Sequence, residues 1–147
     1  AILADFRYMD AERGAICFAE AKVGVPLPEG LVAAIANVCH RPALREIVML
    51  GKKYDPQPAV EAGLVDGLAP AAGLDALVDK QVARLSRLSL DVLIACKASL
   101  RATTIEKAND PFASNGRCKH FMEFVGDEYL GEGLRAFMEG RQPVFVK

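Results

Sequence analysis

The stretch AICFAEAKVGVPLPEGLV, residues 15–32, decides the fold because it holds a strand signal, a loop and a helix start in one short run. Residues 16–19 are mostly apolar and include a β-branched and an aromatic residue, which predicts a short buried strand. Gly24, Pro26 and Pro28 then punctuate a loop. Because proline has no amide hydrogen to donate, Pro28 suits the start of a helix. We therefore predict a strand, a loop and a helix here.

Two carboxylates bracket this loop. Glu20 follows the predicted strand, and Glu29 falls in the first turn of the predicted helix, where the helix dipole favours a negative charge. A carboxyl group in apolar surroundings has a raised pKa and can accept and return a proton. Both residues are candidate acid–base groups. The alternative is that Glu20 is a surface charge and Glu29 only a partner of the helix dipole.

Composition limits the classes of function. The chain has 147 residues, of which 52% are hydrophobic, so it can build the core of one domain. The formal net charge of −1 gives no indication of a nucleic acid or an anionic membrane as partner. No apolar run is long enough to span a bilayer.

Cysteine and histidine usage predicts no metal site. The four cysteines lie in apolar or helical segments without a C-x-x-C pair, which favours free thiols in a reducing compartment over a disulfide scaffold. His40 and His120 lack the regularly spaced partners that a closed zinc site needs. His40 follows a predicted helix, where a cationic side chain would meet the helix dipole favourably.

The pattern along the chain predicts an α/β module followed by helices. The predicted elements are a strand over 6–9, helices starting at 28 and 42, a helical turn over 59–62, a strand over 64–68, and helices over 73–88, 91–107, 117–125 and 130–139. Strands and helices alternate in residues 1–70, whereas residues 71–147 are helical. We predict a boundary between these two parts.

Three motifs follow one another in order. They are EAKVGVP at 20–26, GKKY at 51–54 with AVEAGLVDGLAP at 59–70, and EGLRAFMEGRQPVF at 132–145. They resemble motifs of the crotonase superfamily, the enoyl-CoA hydratases and isomerases. The PEG at 28–30 and the RPA at 41–43 look most like the Δ3,Δ2-enoyl-CoA isomerase branch.

This resemblance implies a partial fold. Residues 1–70 correspond to the later turns of a crotonase-type ββα spiral, and residues 71–147 to its helical trimerisation region. The chain starts as if within a folded element, about halfway through the family's fold. The missing half would carry both backbone amides of the oxyanion hole. A fragment, a partner chain that supplies the first half, and a degenerate family member all fit this pattern.

The resemblance also implies a chemistry. The substrate would be an acyl-CoA thioester, whose double bond a glutamate base moves from the 3,4 to the 2,3 position, with no cofactor beyond the CoA of the substrate. Glu20 matches the family's second glutamate, the lone base of mitochondrial-type isomerases. Glu29 lies at the position of the base in the peroxisomal-type branch, with one inserted residue before it. Phe124 and Lys147 would approach the CoA adenine and phosphate.

Two other functions stay open at this point. One is a non-catalytic structural subunit of a larger assembly, and the other is an enoyl-CoA hydratase. We expect a trimer-like homo-oligomer or a partner chain that supplies the first half. The expected compartment is the mitochondrion, with the peroxisome as the alternative, although the C-terminal VFVK is not the S-K-L peroxisomal signal.

Overall fold

Two short parallel strands connect the beginning and the end of the first part of the chain. A computed structural model describes residues 2–109 and 128–145. Strand β1 is Tyr8–Asp10 and strand β2 is Gly67–Ala69, and they pair in parallel, residue for residue. A parallel pair requires a crossover connection, and helices provide it here.

Helices make up most of the described chain. Helices α1 (Glu29–Ala36), α2 (Arg41–Leu50) and α3 (Pro56–Glu61) precede β2, and α4 (Leu74–Leu85), α5 (Leu90–Asn109) and α6 (Glu128–Glu139) follow it. Each matches a helix predicted from the sequence, with its ends shifted by a few residues. The helix predicted over 117–125 lies outside the described residues.

Proline sets the starts of the first three helices. Pro28 precedes α1, Pro42 lies in the first turn of α2, and Pro56 is the first residue of α3. The amide hydrogens in the first turn of a helix have no intrahelical partners. Proline, which has no amide hydrogen, therefore gives up no hydrogen bond at this position. Helices α1 and α2 therefore begin within one residue of their predicted starts, whereas α3 begins three residues before the helical turn predicted over 59–62.

His40 has a different role from the one predicted. Its Nδ1 accepts the backbone amide of Ala43 at 3.1 Å, so His40 is the N-cap of α2. The prediction of a cation at the end of the preceding helix is wrong, because α1 already ends at Ala36. An acceptor at this position satisfies one of the amides at the start of α2.

The core lies where the first three helices meet β1. Ile35, Ile47 and Leu64 are its largest fully buried side chains. The other members are Met9, Ala43, Tyr54, Ala59, Ala62 and Val65. Full burial of a large aliphatic side chain contributes about 1.5–3 kcal/mol, so these three side chains anchor the crossover.

A buried arginine links the two strands. Arg7, only 8% exposed, donates from Nε to the Leu64 carbonyl at 2.7 Å and from Nη1 to the Ala4 carbonyl at 2.9 Å. Its Nη2 lies 3.2 Å from Oδ2 of Asp66, and the same oxygen accepts the Arg7 amide at 2.7 Å. The guanidinium therefore has partners in the segments that precede both strands, as a buried charge requires.

Both strands begin later than predicted. The predicted strands at 6–9 and 64–68 are observed to start at Tyr8 and Gly67. The amides of Leu64 and Val65 both bond back to the Ala59 carbonyl, at 2.9 and 3.4 Å. The chain is therefore still turning away from α3 where the pattern predicts a strand.

The strand predicted over 16–19 is wrong. Only Ile16 pairs, in a single antiparallel bridge with Tyr54, through bonds of 2.9 and 2.8 Å. The segment containing Tyr54 lies between the end of α2 at Leu50 and the start of α3 at Pro56, and residues 17–19 form no bridge with it.

The later helices keep much of their apolar surface exposed. Helix α5 packs along α1, where Asn37 donates to Thr104 at 2.6 Å. The large apolar side chains of α4 and α5 that stay exposed are Val78, Val82, Leu90, Val92, Ile94, Leu100 and Ile105, at 44–77% of their full exposure. The described chain thus presents exposed apolar side chains on two successive helices.

Candidate active site

Glu20 begins a short 3-10 turn, Glu20–Val23. The Glu20 carbonyl accepts the amide of Val25 at 2.9 Å, which closes the turn. The chain leaves the turn at Gly24, whose φ of 78° lies in the left-handed region that glycine adopts easily. Glu20 therefore lies on a tight, defined turn within residues 15–32, the segment that the sequence singles out.

The side chain of Glu20 is partly buried, and its Oε2 atom is fully so. This oxygen has no hydrogen-bond partner among the residues that the structure describes. Buried polar atoms are nearly always hydrogen-bonded, and leaving one without a partner costs about 1–3 kcal/mol. Such an atom is a candidate for function, because a buried polar atom without a partner needs an explanation beyond packing.

Glu29 has a different environment. Its Oε1 atom lies 2.9 Å from Nζ of Lys107 in the last turn of α5, and its side chain is 25% exposed. The pair connects the start of α1 to the end of α5. As a base, Glu29 would have to act from within this ion pair.

The turn at Glu20 packs against the C-terminal helix through glycine. A Cβ atom placed on Gly133 in α6 would lie 2.3 Å from the carbonyl oxygen of Val23. A Cβ on Gly24 would lie 2.9 Å from the carbonyl oxygen of Tyr129 and 3.0 Å from the ring of Phe145. Two glycines thus allow the backbones of the turn and of α6 to approach closely.

The chain after α6 folds back onto the helix, and an ion pair holds it there. The Glu132 carboxylate accepts from Nη1 and Nη2 of Arg141 at 2.6 and 3.0 Å and from the Val144 amide at 2.9 Å. Arg141 Nε also donates to Glu139 at 2.6 Å. These hydrogen bonds lower the pKa of Glu132 to about 2, and the bond from Arg141 makes the largest contribution.

The two residues predicted to bind CoA, Phe124 and Lys147, lie outside the described residues, so their placement stays a prediction. Within residues 2–109 and 128–145, no three His, Cys, Asp or Glu side chains come together in a way that could hold a metal ion. In the same parts of the chain, no helix has the length and apolar character needed to cross a bilayer.

The sequence did not single out the residues that surround the Glu20 turn. Gly133 and Arg141 lie within the 132–145 motif, but no periodicity links them to a turn more than a hundred positions earlier. The available signal was the position of Gly133 inside a predicted amphipathic helix. A glycine there costs about 1 kcal/mol relative to alanine and indicates a close packing contact.

The chain belongs to the enoyl-CoA hydratase/isomerase family, whose family model matches residues 1–147. Among curated proteins it is 25% identical over 147 residues to a carnitinyl-CoA dehydratase of Citrobacter koseri, a match that covers 99% of this chain and 56% of that protein. The chain therefore spans about half the length of the curated relatives that it matches.

Solved structures have the same fold. A putative enoyl-CoA hydratase of Mycobacterium avium paratuberculosis has a TM-score of 0.78 and 26% identity, with 97% of this chain and 55% of that chain covered. The human mitochondrial Δ3-Δ2-enoyl-CoA isomerase has a TM-score of 0.80 and 22% identity, with 95% and 54% covered. The predicted family and the partial crotonase-type fold are thus confirmed, whereas the boundary at residue 70 stays a prediction.

Proposed function

We propose that this chain carries the acid–base half of an enoyl-CoA isomerase, with Glu20 as the base. The observation that carries the proposal is the contrast between the two carboxylates. Oε2 of Glu20 is buried without a donor among the described residues, whereas Glu29 is paired with Lys107. A base must be able to accept the proton, which favours the unpaired oxygen.

The proposed reaction moves one double bond and uses no redox step. Glu20 removes a proton from C2 of a 3-enoyl-CoA, and the electrons of the broken C–H bond form a dienolate on the thioester. The same carboxyl group returns the proton at C4, so the double bond ends between C2 and C3. Two backbone amides would stabilise the enolate oxygen, each contributing about 3–4 kcal/mol.

Those amides belong to the half of the family's fold that this chain does not cover. We propose that a preceding segment or a partner chain supplies them, within a trimer-like assembly. The exposed apolar side chains of α4 and α5 support such an assembly, because large apolar patches are usually covered. The mitochondrion, or alternatively the peroxisome, is the proposed compartment.

Hydration of a 2-enoyl-CoA is the second candidate function. The matched proteins favour it, since they include enoyl-CoA hydratases and a carnitinyl-CoA dehydratase. A hydratase would use a pair of glutamates, and the resemblance places the first of them in the uncovered half. In this alternative Glu20 would be the second member of the pair.

The test compares Glu20→Gln with Glu29→Gln in the complete fold. Each change removes a carboxylate and keeps the size of the side chain. We expect Glu20→Gln to lower isomerase kcat by about 10²- to 10⁴-fold and Glu29→Gln to leave it within a few-fold of the parent. Products are separated by mass spectrometry, so that isomerisation and addition of water are scored independently.

Two results would contradict the proposal. Loss of activity in Glu29→Gln alone would move the base to Glu29. A parent protein that hydrates 2-enoyl-CoA but does not isomerise 3-enoyl-CoA would establish the second candidate, and a parent with neither activity would favour the structural subunit.

A further inference from the structure

The orientation of the Glu20 carboxylate needs an explanation beyond the turn itself. A 3-10 turn such as Glu20–Val23 has poorer hydrogen-bond geometry than an α-helix and holds its residues less firmly. Oε2 of Glu20 has no donor among the described residues that would fix its direction. The position of this carboxylate therefore depends on whatever holds the backbone of the turn.

Helix α6 holds that backbone at two successive residues. Gly133 faces the carbonyl of Val23, and Gly24 faces the Tyr129 carbonyl and the ring of Phe145. Neither position leaves room for a methyl group without movement of one backbone relative to the other. The turn and the helix thus form one packed unit.

The Glu132–Arg141 ion pair keeps the end of this unit in place. The same Glu132 oxygen that accepts from Arg141 also accepts the amide of Val144, one residue before Phe145. The Phe145 ring packs against Tyr129, with centroids 5.9 Å apart. Opening the ion pair would therefore release the aromatic contact on Gly24.

We propose that α6 and the residues up to 145 position the Glu20 carboxylate, with Gly133 and Arg141 as positioning residues. This inference rests on the proposed function, because it gives the C-terminal helix a role in the geometry of the proposed base. Neither residue touches the substrate in this proposal. Displacing a reacting group by about 1 Å can cost about 10²-fold in rate, so a shift of the turn is enough to impair catalysis.

The first test does not need activity. Gly133→Ala adds a methyl group against Val23, whereas Gly131→Ala adds the same group on the same helix with no atom within 4 Å. Hydrogen–deuterium exchange of the Lys22 and Val25 amides, which close the turn, reports on its opening. We expect exchange to be about tenfold faster in Gly133→Ala and unchanged in Gly131→Ala; equal exchange in both variants would overturn the inference.

The second test uses the isomerase assay. We expect Gly133→Ala to lower kcat by about 10²-fold with little change in KM, because the substrate still binds while the base is displaced. Gly131→Ala should stay within about twofold of the parent, since surface changes usually have effects of that size. If Gly133→Ala has the same kcat as the parent, the proposal is contradicted.

A second pair of variants covers the case in which Gly133→Ala does not fold. Arg141→Gln removes the ion pair without adding bulk, and Arg141→Lys keeps the positive charge beside Glu132. We expect Arg141→Gln to speed exchange at the Val25 amide and to lower kcat. Arg141→Lys keeps the charge but not the two parallel hydrogen bonds to Glu132, so its exchange rate and kcat should lie between those of Arg141→Gln and the parent. If Arg141→Gln matches the parent in exchange and in kcat, the positioning role is refuted.

The two proposals fail in different ways. If the parent does not isomerise 3-enoyl-CoA, the proposed function fails, while amide exchange still decides whether α6 holds the turn. If the parent is active and Glu20→Gln is not, but Gly133→Ala and Arg141→Gln both keep full kcat, only the positioning role fails.

Discussion

Asn37 donates from Nδ2 to the hydroxyl oxygen of Thr104 at 2.6 Å, across the interface between α1 and α5. Thr104 is only 9% exposed although it lies on a helix whose other described side chains are mostly exposed. This single bond joins residues 67 positions apart. Together with the Glu29–Lys107 ion pair, it forms a polar part of the contact between α1 and α5.

Thr104→Val should destabilise the protein by about 1–2 kcal/mol. Valine keeps the shape of threonine but leaves the Asn37 amide facing an apolar group. The matched control is Thr103→Val, because Thr103 is exposed on the same helix and its substitution should change stability by less than about 0.5 kcal/mol. Urea unfolding of both variants measures the difference, and equal midpoints would contradict the prediction.

Tyr54→Phe should cost about 1 kcal/mol. The Tyr54 ring is buried, and its hydroxyl donates to Oε2 of Glu46 at 2.6 Å, so phenylalanine keeps the packing and removes the bond. Burial, together with the bond to Glu46, raises the pKa of Tyr54 well above its usual value. The same substitution in a Glu46→Ala background, where the acceptor is absent, should have a smaller effect; an undiminished effect would assign the stabilisation to something other than this bond.

His40→Ala should destabilise α2 by about 1 kcal/mol, because the Ala43 amide loses its acceptor at the start of the helix. His40→Asn provides the comparison, since asparagine is among the best N-cap residues and should keep most of the stability. Thermal unfolding followed by circular dichroism would show the difference. If both variants unfold at the same temperature as the parent, the cap makes no measurable contribution to stability.

The ion pair after α6 should persist into strong acid. Hydrogen bonds from Arg141 and the Val144 amide lower the pKa of Glu132 to about 2, against an ordinary value of 4.5. The stability that this carboxylate provides is therefore complete above about pH 4.5 and is lost as the pH falls through about 2. Carbon-13 NMR of the Glu132 carboxyl group should give a midpoint near 2, and Arg141→Gln should raise it; a midpoint unaffected by Arg141→Gln would contradict this cause.

The parts of the fold that could be predicted are those that local chemistry determines. Pro28 and Pro42 locate the starts of α1 and α2 within one residue because proline acts on its own neighbours, whereas the third helix, predicted from 59, begins at Pro56. The strand predicted over 16–19 failed because pairing depends on a partner, and only Tyr54 is available. Strand formation is a property of two segments, whereas the pattern describes one.

The choice between the two carboxylates could not be made from the sequence. Glu29 is distinguished by Lys107, 78 positions away, and Glu20 by the absence of a donor among the described residues. Both facts depend on tertiary packing, which cannot be deduced from the positions of the two residues in the sequence. Glu29 lies in the first turn of the helix that the sequence predicts, and Glu20 lies in the turn that precedes Gly24, while the catalytic role of either residue stays a prediction.

The parallel pairing of β1 with β2 has a consequence for the order of folding. Tyr8 pairs with Gly67, so the whole crossover must be closed before the first bond of this sheet can form. Closing a long loop costs entropy that only later contacts repay, and non-local pairings of this kind slow folding. The helices between the strands need only neighbours in sequence. We therefore expect α1, α2 and α3 to condense first and the pairing of the strands to form at the rate-limiting barrier, so that substitutions in β2 slow folding and leave the unfolding rate nearly unchanged.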